Sequence, residues 1–195
     1  PTHGRPELLA ETLATIVAQD YPGDLEILVI HDREEPNPAL ADLSQPGREV
    51  RSLVNTRTGG LCGARNTGVL LAKGEFVASC DDDDLWYPSK VSRQVERLQS
   101  DPNMLAVGAG IRLLMGDRGD VIWEVKESIV THDRLLQNRV KELHSSTLMM
   151  RRSAFEQAGM YDEDLPHGYG EDYDWLLRAS RIGVIGVVPE TLAYI

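Results

Sequence analysis

Phe76-Val77-Ala78-Ser79-Cys80-Asp81-Asp82-Asp83-Asp84-Leu85-Trp86-Tyr87-Pro88 is an apolar, strand-like run that ends in four consecutive acids, an aromatic pair and a proline. Four adjacent carboxylates repel one another, and holding them together costs stability unless a cation neutralises them. Carboxylate oxygens are hard ligands that suit Mg²⁺, Mn²⁺ or Ca²⁺. The stretch therefore predicts a divalent-metal site at the carboxyl end of a strand, where open α/β sheets place their ligands. The competing reading is a solvated acidic turn that caps the next helix. A calcium loop of the EF-hand kind does not fit, because Leu85-Trp86-Tyr87 breaks its alternation of ligands. A phosphatase-type Asp-x-Asp-x-Thr signature fails at Leu85.

Outward from this stretch, the first half alternates helix and strand. Pro6 to Gln19 reads as a helix with Leu9, Leu13, Ile16 and Val17 on one stripe. Leu25 to Ile30 reads as a buried parallel strand ending at His31-Asp32. Residues 33–49 read as a loop with one helical turn, and Val50 to Val54 as a strand. Thr58-Gly59-Gly60-Leu61-Cys62-Gly63 opens a helix to about Lys73, Glu75 to Cys80 is the acidic strand, and Pro88 to Gln99 is a helix. Beyond it, strands are expected over Met104 to Met115, Val121 to Val125, Ser145 to Met150 and Val184 to Val188. A hairpin turn is expected at Gly116-Asp117-Arg118-Gly119. Helices are expected over His132 to Asn138, Arg152 to Ala158 and Glu171 to Ile182. The alternation predicts an α/β fold with a central, mostly parallel sheet flanked by helices.

The 195 residues suggest a single domain with a real core. A formal net charge of -11 argues against nucleic acid as the main partner, though not against a metal-held nucleotide. No apolar run reaches transmembrane length. The two cysteines, Cys62 and Cys80, lack a metal-ligand spacing, and no signal peptide is evident. Together these suggest a reducing, cytoplasmic compartment. Pro1-Thr2-His3-Gly4-Arg5-Pro6 reads like the loop after a first strand. A strand upstream and further elements downstream are therefore expected outside this sequence.

Four ordered features resemble the inverting family 2 glycosyltransferases. They are Pro1-Thr2-His3-Gly4-Arg5 before a helix, Asp32 at the second strand's end, Gly63-Ala64-Arg65-Asn66-Thr67-Gly68 ahead of the acidic stretch, and Gly170-Glu171-Asp172-Tyr173-Asp174-Trp175. Ser146 to Ser153 and Gly159 to Glu163 are similar to the family's intervening segment. The resemblance implies a GT-A fold, with a nucleotide-binding half over about 1–100 and an acceptor half over about 101–195. It implies sugar transfer from a nucleoside diphosphate, a UDP-sugar by preference, to a hydroxyl on a glycan or lipid-linked acceptor, with Mn²⁺ or Mg²⁺ as cofactor. Peripheral membrane association and oligomeric state are left open.

By the same resemblance Asp81 and Asp83 match the Asp-x-Asp metal positions, with Asp83 the direct ligand, Asp81 or Asp82 near the ribose or the metal's waters, and Asp84 capping the turn. Thr2 belongs to the loop that cradles the base, and Asp32 accepts a hydrogen bond from it. A strand-end Asp that caps a turn is the alternative for Asp32. Arg65 reaches the ribose or diphosphate, or pairs with the acidic cluster. Asp172 is the catalytic base and Glu171 orients the loop or the acceptor. Their alternative is a pair of first-turn acids favoured by the helix dipole. Trp86, Tyr169 and Trp175 are candidates for sugar stacking or, more commonly for such residues, core, and His167 is placed near the acceptor or in solvent. A nucleotidyltransferase or a non-catalytic sugar-nucleotide-binding domain is the competing function.

Overall fold

The computed structural model describes residues 1–116, 119–165 and 169–195. The chain folds in the order α1 (Pro6–Val17), β1 (Leu25–His31), β2 (Arg48–Val54), α2 (Leu61–Leu71), β3 (Phe76–Ala78), β4 (Leu85–Trp86), α3 (Lys90–Gln99), β5 (Met104–Leu113), β6 (Val121–Trp123), β7 (Ile129–Val130), α4 (His132–Gln137), β8 (Met149–Arg151), α5 (Arg152–Ala158), α6 (Glu171–Ala179) and β9 (Val184–Tyr194). A six-residue 3-10 helix occupies Pro38–Leu43, and single 3-10 turns occupy Lys141–Leu143 and Ser145–Thr147. Pro6 opens α1 where its missing N–H costs nothing, and Leu9 and Leu13 are buried beneath it. The expected turn at 116–119 lies partly outside the described residues, as does His167; β5 and β6 nonetheless pair as a hairpin.

The α/β reading holds, but the sheet is mixed rather than mostly parallel. β1 and β2 form a parallel pair of their own. The larger sheet runs β3-β8-β5-β9-β4, with β6 on β5 and β7 on β9. Among the described residues of this sheet only β5 and β9 pair in parallel. The continuous apolar runs that suggested parallel strands arise from burial on both faces, which helices impose whatever the strand direction. Strand β9 runs well past Val188, and the tail of it pairs with β4, a strand too short to show in periodicity. Ser145 to Thr147 turn in a 3-10 conformation before β8 begins, because the His144 side chain accepts the Ser146 N–H.

Three apolar clusters hold these layers. One packs α1 on β1 and β2 through Leu9, Leu13, Ile27, Val29 and Val50. A second packs α3 on β5 and β9. The third gathers Phe155, Tyr161 and Trp175 with Leu148, Met150 and Ile185. Trp86 and Trp175 are core residues whose indole N–H groups donate to Ser146 and Gly159 carbonyls, while Tyr169 is exposed. Between β1 and β3 lies a cavity of about 350 Å³, lined by Leu25 to Ile30 on one side and Gly74 to Cys80 on the other.

Candidate active site

The acidic stretch leaves β3 after Ala78 and turns, with the Asp84 N–H donating to the Asp81 carbonyl at 3.3 Å. The turn divides the carboxylates of Asp81, Asp82 and Asp83 between two arginines. Asp81 accepts from Arg65 Nη2 at 2.5 Å and from Ser145 Oγ at 2.9 Å. Asp82 accepts from Thr2 Oγ1 at 2.7 Å and pairs with Arg5 Nη2 at 2.8 Å. Asp83 pairs with Arg5 Nη1 at 2.5 Å. Burial would raise the Asp81 carboxyl, but the Arg65 guanidinium and the Ser145 hydroxyl hold it below the ordinary aspartate value. For Asp84 burial wins, pushing it up to about 7 despite a hydrogen bond from Ser146. The positive charge that the acidic run requires thus comes in part from two arginines of the chain itself.

Arg65 connects this cluster to a second one. It sits in the first turns of α2, nearly fully buried, and its other amino group donates to Glu171. Glu171 and Asp172 open α6 after Gly170, whose φ of +83° suits glycine. Ordinary first-turn acids are exposed; these two are buried. Asp172 accepts from Arg139 Nη2 at 2.6 Å and from the Tyr173 N–H at 2.7 Å. One guanidinium therefore holds Asp81 and Glu171 together across 90 residues of sequence.

Thr2 pairs alongside the end of β1 in a parallel bridge: its N–H donates to the Ile30 carbonyl and its own carbonyl accepts from the Asp32 N–H. Asp32 accepts from Asn55 Nδ2 at 2.7 Å and the Gly60 N–H at 2.9 Å, so it ties down the loop that starts α2. Glu163 anchors that loop from the far side. Burial disfavours its charge, but hydrogen bonds from Asn66, Arg57 and Thr58 pull it down to about 2. Arg139, His144 and Ser145 carry no sequence motif, because each meets its partner only through the fold; Arg5 and Glu163 lie in segments that the resemblance covers, but their partners do not show there. His144 caps the turn behind Asp81, and burial lowers its imidazole.

The model of Glycosyl transferase family 2 matches residues 1–159. The chain belongs to glycosyl transferase family 2. A relative from Haemophilus influenzae, an uncharacterized glycosyltransferase, is 25% identical over 95% of this chain and 60% of its own length. An Escherichia coli relative, UDP-Glc:alpha-D-GlcNAc-diphosphoundecaprenol beta-1,3-glucosyltransferase WfgD, is 25% identical over 71% of this chain and 53% of its own. Among solved structures, Staphylococcus aureus TarS 1-349 in complex with UDP superposes with a TM-score of 0.78 at 22% identity, covering all of this chain and 58% of that one. The mannosyltransferase PcManGT from Pyrobaculum calidifontis, in complex with GDP-Man and Mn²⁺, gives 0.69 at 22% identity. The fold is GT-A, and the chain spans about 60% of the length of the first of these relatives.

Proposed function

We propose that this chain carries the catalytic centre of an inverting glycosyltransferase. It moves a sugar from a nucleoside diphosphate, UDP by preference, to a hydroxyl of a glycan or lipid-linked acceptor. The observation that carries this is the Arg65 bridge, which brings the acidic cluster and the Glu171-Asp172 pair to one centre. Transfer needs two acidic functions at one place, one on the leaving group's side and one on the acceptor's. WfgD, by its name, uses UDP-Glc and a diphosphoundecaprenol-linked acceptor. TarS binds UDP and UDP-GlcNAc, and PcManGT binds GDP-Man with Mn²⁺. An acceptor of this class fits a cytoplasmic protein working at the inner face of a membrane. Among the described residues no helix is long and apolar enough to cross one.

Among the described residues no group of three or more His, Cys, Asp or Glu side chains is placed to hold a metal. The chemistry of the donor set still fits a hard divalent cation. Asp83 is the accessible carboxylate of the cluster, and a donor's phosphates bring further oxygen ligands. Bound there, Mn²⁺ or Mg²⁺ would offset charge on the departing diphosphate. Asp81 and Asp82 shape the nucleotide side, with Thr2 steadying Asp82 and Asp32 placing the base-side loop.

On the other side, Asp172 takes the acceptor hydroxyl's proton. The hydroxyl oxygen bonds to the anomeric carbon, and the bond from that carbon to the diphosphate oxygen breaks. The electron pair leaves with the nucleoside diphosphate. Glu171, fixed by Arg65, orients the first turn of α6 beneath Asp172.

Asp172→Asn is expected to lower transfer at least about a hundredfold while nucleotide affinity stays within about tenfold. Radiolabelled-sugar transfer and calorimetry measure the two, and undiminished turnover would remove Asp172 as the base. A thermal-shift panel of UDP, GDP and dTDP with and without Mn²⁺ names the base, because a bound ligand stabilises the fold according to its dissociation constant.

A further inference from the structure

The acidic cluster holds a side chain at the place where the proposed metal would bind. Arg5, the residue before α1, spans two carboxylates, with Nη2 2.8 Å from Asp82 and Nη1 2.5 Å from Asp83. Asp81 is turned toward Arg65 and Ser145, and Asp84 is buried. Asp83 is thus the carboxylate of the cluster that an incoming cation can reach, and Arg5 covers it. The side chains of Arg5 and Asp83 are 48% and 44% exposed, so the pair can part without unpacking the core.

We propose that Arg5 occupies the cation position in the resting protein and makes divalent-metal binding contingent on the donor. This rests on the reading of the site given above. A guanidinium and a divalent ion compete for the same oxygens. A metal arriving alone must break the Arg5 pair and return nothing to it. A metal arriving with a diphosphate offers Arg5 a phosphate in exchange, which a guanidinium grips as well as a carboxylate. Arg5 then moves from Asp83 to the diphosphate, and the metal takes Asp83. The same contact relieves repulsion between Asp82 and Asp83 while no ligand is bound.

Mn²⁺ binding to the full chain, followed by calorimetry with and without UDP, tests this. Arg5→Gln is expected to bind Mn²⁺ alone about fivefold more tightly than the wild type, the scale of one partly exposed ion pair. With UDP present that advantage should vanish, and UDP alone should bind the variant more weakly. Adding Asp83→Asn to Arg5→Gln should erase the gain. Arg5→Lys keeps the charge without the fork and should lie between, which serves if Arg5→Gln folds poorly. Equal or weaker Mn²⁺ affinity in both Arg5 variants overturns Arg5's role and leaves the metal-dependent reading standing. Mn²⁺ that binds none of these proteins even with UDP overturns both.

Discussion

Arg65 is the residue on which the two acidic groups depend. Truncating it to Met would leave the buried Glu171 and the partly exposed Asp81 without their countercharge. Breaking a buried ion pair in this way costs about 3–5 kcal/mol. Arg65→Met should therefore lower the melting temperature strongly and abolish transfer, with Arg65→Lys intermediate because it keeps the charge but not the two-pronged geometry. A melting temperature within a degree or two of wild type for Arg65→Met would mean that the bridge contributes little. At this scale the acids were legible in the sequence, since runs such as Asp81 to Asp84 and Glu171-Asp172 stand out by themselves. Of their arginine partners only Arg65 was, as a pairing with the acidic cluster. Arg5 meets Asp83 across 78 residues and Arg139 meets Asp172 across 33. No local pattern marks such a pairing. Of the two alternatives weighed for Arg65, the salt bridge is the one present in this structure.

At the scale of elements, the start of α2 decides where Arg65 stands. Gly63 lies so close to the preceding loop that a Cβ there would sit 1.8 Å from the Thr58 carbonyl oxygen. That neighbour is backbone and cannot swing aside. Gly63→Ala should cost at least about 2 kcal/mol in urea unfolding through overpacking, and should reduce transfer by shifting Arg65. A neutral result would show that the 55–60 loop can move. The existence of most helices and strands was legible from periodicity and from glycine and proline punctuation. Their ends were less so: α6 stops at Ala179, and β3 has only three residues. Apart from β1, read as parallel and paired in parallel with β2, the partner and direction of the strands were not legible, because an apolar run records burial and not orientation.

For the molecule as a whole, α3 packs a fully buried Lys90 over the Trp86 ring, with Nζ donating to Gln94 at 2.7 Å. Burial lowers its ammonium to about 7. From about pH 7 up to the ordinary lysine value of 10.5 the unfolded chain binds this proton and the folded one does not, so stability rises with pH across that window. Below about 7 the burial penalty is present in full. The gap in melting temperature between Lys90→Met and wild type should accordingly shift in the wild type's favour from pH 6.5 to 9.5, and a constant gap would mean the lysine stays charged. The cavity between β1 and β3 has a second consequence. Both flanking strands present an edge to it, and the Thr2 bridge already sets a parallel direction beside β1. A chain extended upstream of Pro1 by about six β-branched residues, a usual strand length, should melt higher than one extended by Gly and Ser. Identical melting would show that the slot does not accept a strand.

Composition and pattern by themselves determined the α/β class, the succession of elements and the two acidic groups, because these follow from burial periodicity and from charge within a few residues. Tertiary structure alone decided the mixed order of the sheet, the burial of Glu171 and Asp172, and the choice of Arg5 and Arg139 as partners for the acids. Those depend on segments far apart in sequence being brought within hydrogen-bonding distance, and no stretch of the chain records that distance.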